Sequence, residues 1–391
     1  MRDLARYDAL ALTAGLWFLA KFLRYLFPPL YATFESAFGI STSAFGLAFG
    51  GLMAGYALLQ FPSGALADRL GGVRVIAVGA IISSGGALLV AGATSVAALV
   101  LGMVLVGVGT GAHKTVAVAL MAAVYPDRTG RALGAMDTLG AFGGVGASAA
   151  VVGIAALGPG GWRLAFAAAA GAGLLGTVLF VRRVPARVPD SATTGETPAA
   201  GSYLARLREP AFGTFVAAAV LSSLAYNGAL SFLPYYLGAV GLPATTANAL
   251  YGLLFAVSVV QPVTGEASDR FGTLRVATAT LGLTTLGLGG LLVGSGPLAL
   301  GAAVIALGAG AHGFRPVRGA YLVRVAPSGG AGGSLGVVRT ALMAAGAVAP
   351  VLVGAVTGAA GPRAGFALLA AAAAAALVLV AALARSQQGD F

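Results

Sequence analysis

The chain has 391 residues, 58% hydrophobic and 9% charged, with 61 glycines and no cysteine. Soluble domains carry about 25% charged residues, so these proportions exclude an ordinary water-facing globule. The missing thiol excludes disulfides, thiolate catalysis and Cys-based metal sites, and the net charge of +11 has to be read from where the charges fall.

A spanning helix needs about 20 predominantly apolar residues, and about twelve such runs follow one another. The first, about Asp8 to Tyr31, carries Lys21 and Arg24 and meets Pro28-Pro29, which break or kink its outer end. No small-residue cleavage site follows it, so it is read as a retained span and not as a secretory signal. Further helices are expected at about Ser43–Pro62, Val75–Ala93, Val96–Ala123 and Ala132–Leu157, with a sixth ending at Arg182-Arg183. From Val184 to about Ser202 the composition shifts to Pro, Ala, Thr and charge, which cannot bury an apolar face and reads as a linker. Tyr203–Glu209 is expected as a short interfacial helix, and the remaining spans at about Phe212–Val240, Thr246–Val263, Val276–Val293, Leu298–Leu322, Leu335–Ala359 and Ala364–Leu383. The domain reading is a six-helix half over 1–183, a cytoplasmic linker over 184–209 and a second six-helix half over 210–391. The fold class is an all-α membrane protein of two pseudo-symmetric six-helix halves.

The stretch Gly64-Ala65-Leu66-Ala67-Asp68-Arg69-Leu70-Gly71, with Arg74 following, returns as Gly265-Glu266-Ala267-Ser268-Asp269-Arg270-Phe271-Gly272, with Arg275 following. Each identical residue lies 201 positions from its twin, so a whole half of the chain is repeated. Gly111-Ala112-His113 is echoed by Gly310-Ala311-His312, and Asp137-Thr138 by Arg339-Thr340. The pattern G-x-L-x-D-R-x-G followed by a basic residue resembles the loop between the second and third helices of major facilitator superfamily transporters. Its second copy resembles that family's weaker repeat between helices eight and nine. The resemblance covers nearly the whole chain.

Fifteen of the 23 basic residues, among them Arg69, Arg128, Arg182 and Arg270, fall in loops that alternate helices place on one side. The opposite loops hold Arg163 and Arg363. By the positive-inside rule the rich side is cytoplasmic, with both termini there. The basicity is topological, and no nucleic-acid partner is expected. Gly102, Gly107, Gly109 and Gly111 in the fourth helix superficially suggest a dinucleotide fingerprint. Without a preceding strand they read as close helix packing in lipid.

An ionisable side chain at the bilayer centre costs about 2.5–3.5 kcal/mol on insertion scales. The intramembrane set here is Lys21, Arg24, His113, Lys114, Asp137, His312, Arg315, Arg318 and Arg339: six permanent cations and two histidines against one carboxylate. Internal pairing cannot neutralise that set, so a negative partner has to enter. Lys21 and Arg24 share a helical face, with Lys21 roughly 20 Å from the helix start at 1.5 Å per residue. Their alternatives are cavity cations or structural partners of Asp137. Lys114 reads as a cavity group; His113 reads equally as a cavity group or a buried neutral imidazole. Arg315 is suited to gripping a carboxylate bidentately, whereas Arg318 reads as a gate or headgroup contact. Asp137 is either a proton-coupling carboxylate or the counter-ion of Arg24 or Lys114. Ser222, Ser223, Tyr226 and Asn227 form a polar patch that either meets substrate or bonds across helices; Tyr56, Gln60 and Gln261 are weaker candidates.

The family resemblance implies that helices 1, 4, 7 and 10 line a central pathway. It further implies that Asp68, Arg69, Arg74, Asp269, Arg270 and Arg275, grouped here with Arg318 and Arg339, gate and do not bind substrate. In such relatives the loop carboxylate packs at a helix N-terminus of the other half, where the helix dipole favours an anion by about 0.3–1 kcal/mol. Gly72-Val73 stand where basic residues are common in that family, which implies a lighter latch. The function expected is alternating-access transport of a small organic anion, a carboxylate first. It would be taken alone, with a proton or by exchange, by a monomer in the cell membrane among its lipids, with no cofactor and no metal. No catalytic constellation is visible. The alternatives are a multidrug/proton antiporter, which would call for acidic cavity groups, an inorganic-anion porter, and a non-transporting sensor, which would call for a soluble appendage.

Overall fold

The computed structural model of the protein describes residues 7–158, 160–188, 209–324 and 331–387. Its helices, in chain order, are α1 (Asp8–Tyr25), α2 (Tyr31–Phe38), α3 (Thr42–Leu70), α4 (Gly72–Ala91), α5 (Val96–Val124), α6 (Thr129–Ile154) and α7 (Gly161–Arg183). They continue as α8 (Pro210–Ala239), α9 (Ala244–Ala256), α10 (Gln261–Phe271), α11 (Thr273–Val293), α12 (Gly296–Arg324), α13 (Ala331–Ala360) and α14 (Pro362–Ser386). Among the described residues twelve helical stretches are long and apolar enough to cross a membrane. The expected linker lies mostly, and the interfacial helix almost wholly, outside the described residues.

The chain divides into two compact units, Met1–Ser41 with Ala48–Gly195, and Thr42–Leu47 with Glu196–Phe391. The first turns of α3 therefore belong with the second unit. Within the first unit α1 packs on α6, and α4 on α5 and α7; within the second, α8 packs on α13, and α11 on α12 and α14. The same packing scheme is thus used twice. Each unit has a matching apolar cluster: Ile76, Val116, Leu120 and Met121 in the first correspond to Ala277, Val317, Tyr321 and Leu322 in the second.

Glycines set how close these helices come. A Cβ at Gly107 would strike the Leu52 carbonyl, and one at Gly308 would lie 3.0 Å from the Leu254 carbonyl oxygen. Gly109 meets Gly79 and Ser83 as Gly310 meets Thr280 and Thr284. Backbones in such contact gain dispersion energy that lipid tails cannot match. These contacts fix the structural offset between units at 201 residues. On that register Lys114 corresponds to Arg315, and His113 to Phe314, which is also buried. The Gly-Ala-His echo is a coincidence of composition two residues out of step: His113 and His312 are not structural twins.

The duplicated motif also differs from the expected loop. Gly64 to Leu70 continues α3 as helix, and Gly265 to Phe271 continues α10. The break is a single residue in each case, Gly71 at φ 86° and Gly272 at φ 91°. A left-handed backbone of this kind is open to glycine and strained for other residues, so the turn needs nothing longer.

Candidate functional site

The first unit builds a cation cluster on one indole. Gly140 and Gly143 of α6 face α1: a Cβ at Gly140 would collide with the Trp17 ring, and one at Gly143 would stand 2.5 Å from the Phe18 carbonyl oxygen and 3.0 Å from Lys21 Cβ. Those two missing side chains let α1 settle against α6 with Trp17 buried between them. Trp17, Lys21 and Arg24 are spaced i, i+4 and i+7, on one face of α1. Lys21 Nζ stands 5.2 Å from the Trp17 ring centroid, Arg24 Cζ 5.3 Å and Lys114 Nζ of α5 5.7 Å. His113 stacks on the same indole, centroids 5.5 Å apart and planes 7° from parallel. Beyond the C-terminal end of α1, Phe27, Phe34, Trp162 and Phe166 meet in edge and tilted contacts.

Arg24 is the most telling side chain. It is 2% exposed, its guanidinium lies 3.8 Å from the Tyr56 ring centroid, and its Nε has no hydrogen-bond partner among the described residues. No carboxylate is ion-paired with it among those residues. Asp137 instead pairs with Lys114 and is half exposed at 52%. Aromatic faces attract a desolvated cation by about 2 kcal/mol, less than the several kcal/mol that burying a charge costs. Among the described residues the cluster brings Lys21, Arg24 and Lys114 together with the carboxylate of Asp137, which is paired with Lys114.

The second unit carries a different arrangement. Arg315 of α12 lies over Tyr226 of α8, Cζ 4.9 Å from the ring centroid. His312 Nε2 lies 3.1 Å from the Leu254 carbonyl oxygen and 3.3 Å from Tyr226 Oη. A carbonyl can only accept, so the Leu254 contact calls for the proton on Nε2. Asn227 donates through Nδ2 to the Ser223 carbonyl and hydroxyl, and Ser223 donates to the Leu342 carbonyl; the amide side chain also lies against Gly346. That patch ties α8 to α13. Arg318 is half-buried, with Arg315 and Arg339 as the charges acting on it, and Arg339 is exposed.

The residues expected to gate lie at helix ends and are exposed: Asp68, Arg69 and Arg74 in the first unit, Asp269, Arg270 and Arg275 in the second. Arg270 pairs with Glu266 one turn back, an exposed i,i+4 contact of about 0.3–0.5 kcal/mol. Sequence reasoning missed Trp17 and ranked Tyr56 low. The i, i+4, i+7 spacing of Trp17 with Lys21 and Arg24 was a usable signal for the first; the approach of α3 that brings Tyr56 in was not.

The family model described as Major Facilitator Superfamily matches residues 13–260 and 250–389. No curated protein matches the sequence at a significant level. Among solved structures, the nucleoside transporter NupG is similar at TM-score 0.81 and 13% identity, covering 96% of this chain and 99% of its own. A bacterial homolog of the human lysosomal transporter Spinster, in its inward-facing and occupied conformation, is similar at 0.77 and 17%, covering 96% of each. A D-xylose-proton symporter is similar at 0.73 and 16%, covering 96% and 97%. With its twelve spans, its twice-used helix packing and a family match over nearly its whole length, the chain belongs to the Major Facilitator Superfamily and is a multi-pass membrane transporter of a small molecule.

Proposed function

We propose that the protein carries a small organic anion, a carboxylate first, across the cell membrane by alternating access. The observation that supports this is Arg24: a buried guanidinium with an orphaned Nε–H and no ion-pair partner among the described residues, in a cluster where Lys21 and Lys114 add two further cations. A carboxylate accepting two charge-assisted hydrogen bonds from that fork would supply the missing charge and the missing acceptor together. Trp17 and Tyr56 flank the guanidinium, His113 backs the indole, and Asp137 pairs with Lys114. In the second unit Arg315 is the corresponding anion ligand, over Tyr226 with His312 beside that tyrosine, and Asn227 is a further substrate-binding candidate on the same helix. Arg318, Arg339 and the paired motif residues from Asp68 to Arg74 and from Asp269 to Arg275 serve the gates.

The protein acts as a monomer of two halves, 1–183 and 210–391, joined by a cytoplasmic linker, with both termini cytoplasmic. The basic loops support that orientation. Coupling to protons is a second reading, favoured by the half-exposed Asp137 beside Lys114 and by the proton symport named for one structural relative. Thermal stabilisation of the purified protein by a panel of ligands tests the substrate class. Mono- and dicarboxylates should raise the melting temperature in a saturable way that Arg24→Gln removes. Stabilisation by lipophilic cations, with none by any anion, would overturn the proposal.

A further inference from the structure

Beside His113, α1, α4, α5 and α7 leave a cavity of about 20 Å³, measured as room for the centre of a water-sized sphere. Its lining includes Ser83, Ser84, Thr110, His113, Gly109 and Gly173, all of them buried. One water needs about 10–15 Å³ by that measure and two to four polar partners. Four polar side chains converge here in a part of the molecule that is otherwise leucine, alanine and glycine.

Two of the four carry an atom that no hydrogen bond engages among the described residues. His113 is 4% exposed, and its Nε2 has no hydrogen-bond partner among the described residues. Ser84 is 1% exposed, and among the described residues no protein group engages its hydroxyl. A helical serine ordinarily bonds back to a carbonyl of the preceding turn, as Ser83 does to Ala80 at 3.0 Å and Thr110 to Val106 at 2.7 Å. Those two hydroxyls have used their protons and keep free lone pairs. With the Thr13 main chain of α1 beside the ring, an imidazole that donates to that carbonyl from Nδ1 presents Nε2 as an acceptor.

We infer that this cavity is a binding site for one structural water, which donates to His113 Nε2 and to the Thr110 or Ser83 oxygen and accepts from the Ser84 hydroxyl. Three hydrogen bonds are what a buried water typically makes, and each atom's donor or acceptor state is then satisfied. The water fixes His113 in its Nδ1–H form. His113 becomes a positioning residue: a neutral plate under Trp17, where an imidazolium would add a fourth positive charge beside Lys21, Arg24 and Lys114. The glycines complete the site, since a Cβ at Gly173 would lie 2.5 Å from Ser84 Oγ and one at Gly109 would strike Ser83. The inference does not depend on which substrate is carried.

The chain has two histidines, so ¹⁵N-histidine labelling of the full-length protein in lipid nanodiscs gives two imidazoles, and a His312→Gln sample assigns His113. At neutral pH His113 should show a protonated Nδ1, an unprotonated and hydrogen-bonded Nε2, and a magnetisation-transfer peak from water. Ser84→Ala should move the Nε2 resonance toward that of an unbonded acceptor and weaken the water peak, leaving Nδ1 protonated. A protonated Nε2, an imidazolium, or no water peak in the unmodified protein would overturn the assignment. So would an Nε2 resonance indifferent to Ser84→Ala. A sodium-dependent shift of Nε2 would assign the cavity to a cation and overturn it equally.

Discussion

Replacing Arg24 by methionine separates a residue that serves binding from one that serves stability. The guanidinium is 2% exposed and its Nε lacks a hydrogen-bond partner. Burying a charge costs several kcal/mol even after relaxation. The aromatic contacts, at 3.8 Å to Tyr56 and 5.3 Å to Trp17, offset about 2 kcal/mol of that. Methionine has similar length, fills irregular gaps and keeps sulfur–aromatic contact. Arg24→Met should therefore stabilise the ligand-free protein by about 1–3 kcal/mol, a rise of roughly 1–4 °C in melting temperature for a chain of this size. The same variant should lose anion binding. Each charge-assisted hydrogen bond to a carboxylate contributes about 1.5–3 kcal/mol, so losing two is a fall of at least about a hundredfold in affinity. Binding can be followed through Trp17, since the chain has two tryptophans and Trp162→Phe leaves Trp17 as the reporter. Thermal unfolding in detergent gives the stability. A variant that is less stable than the parent, or one that binds carboxylates as the parent does, would refute the reasoning.

Three further outcomes follow from the same geometry. Asp137→Asn removes the carboxylate that competes for Lys114, so the KM for a transported anion should fall by about two- to tenfold, part of the roughly 1.5–3 kcal/mol that one charged hydrogen bond contributes; an unchanged or raised KM in an uptake assay contradicts the counter-ion role. Gly140→Ala drives a methyl group into the Trp17 ring, whereas Gly134→Ala meets nothing within 4 Å. The first should cost about 1–3 kcal/mol as overpacking does and raise KM, while the second leaves melting temperature and KM unchanged. Orientation can be read on this cysteine-free chain with single cysteines: Gly160→Cys should react with an impermeant maleimide on intact cells, and Arg131→Cys after permeabilisation alone.

The spans and the duplication were legible because both depend on local properties, apolar length and a repeated string. The duplicated motif was legible as a signature but not as a shape. Asp68, Arg69 and their neighbours are tolerable helix residues, so α3 runs on until Gly71 turns it, and nothing in composition marks the difference between a loop and a helix end. Register was harder. The echo of Gly111-Ala112-His113 in Gly310-Ala311-His312 is exact as a string, yet the backbone contacts of Gly107 and Gly308 place the two histidines out of step. The set of intramembrane cations was visible one by one; their assembly was not, because it depends on Gly140 and Gly143 admitting α1. Once α1 is seated, Trp17 gathers Lys21, Arg24 and Lys114 within 6 Å of its ring. Asn227 shows the opposite case, a polar residue in a span whose amide protons go to Ser223 of its own helix.

The most direct test of the anion proposal is uptake into proteoliposomes holding the purified protein, with labelled carboxylates, inorganic anions and lipophilic cations each presented with and without a pH gradient. The proposal predicts saturable uptake of at least one carboxylate, abolished by Arg24→Gln and by Arg315→Gln in protein that remains folded and inserted. Saturable uptake of cations alone, or carboxylate uptake untouched by both variants, would contradict it.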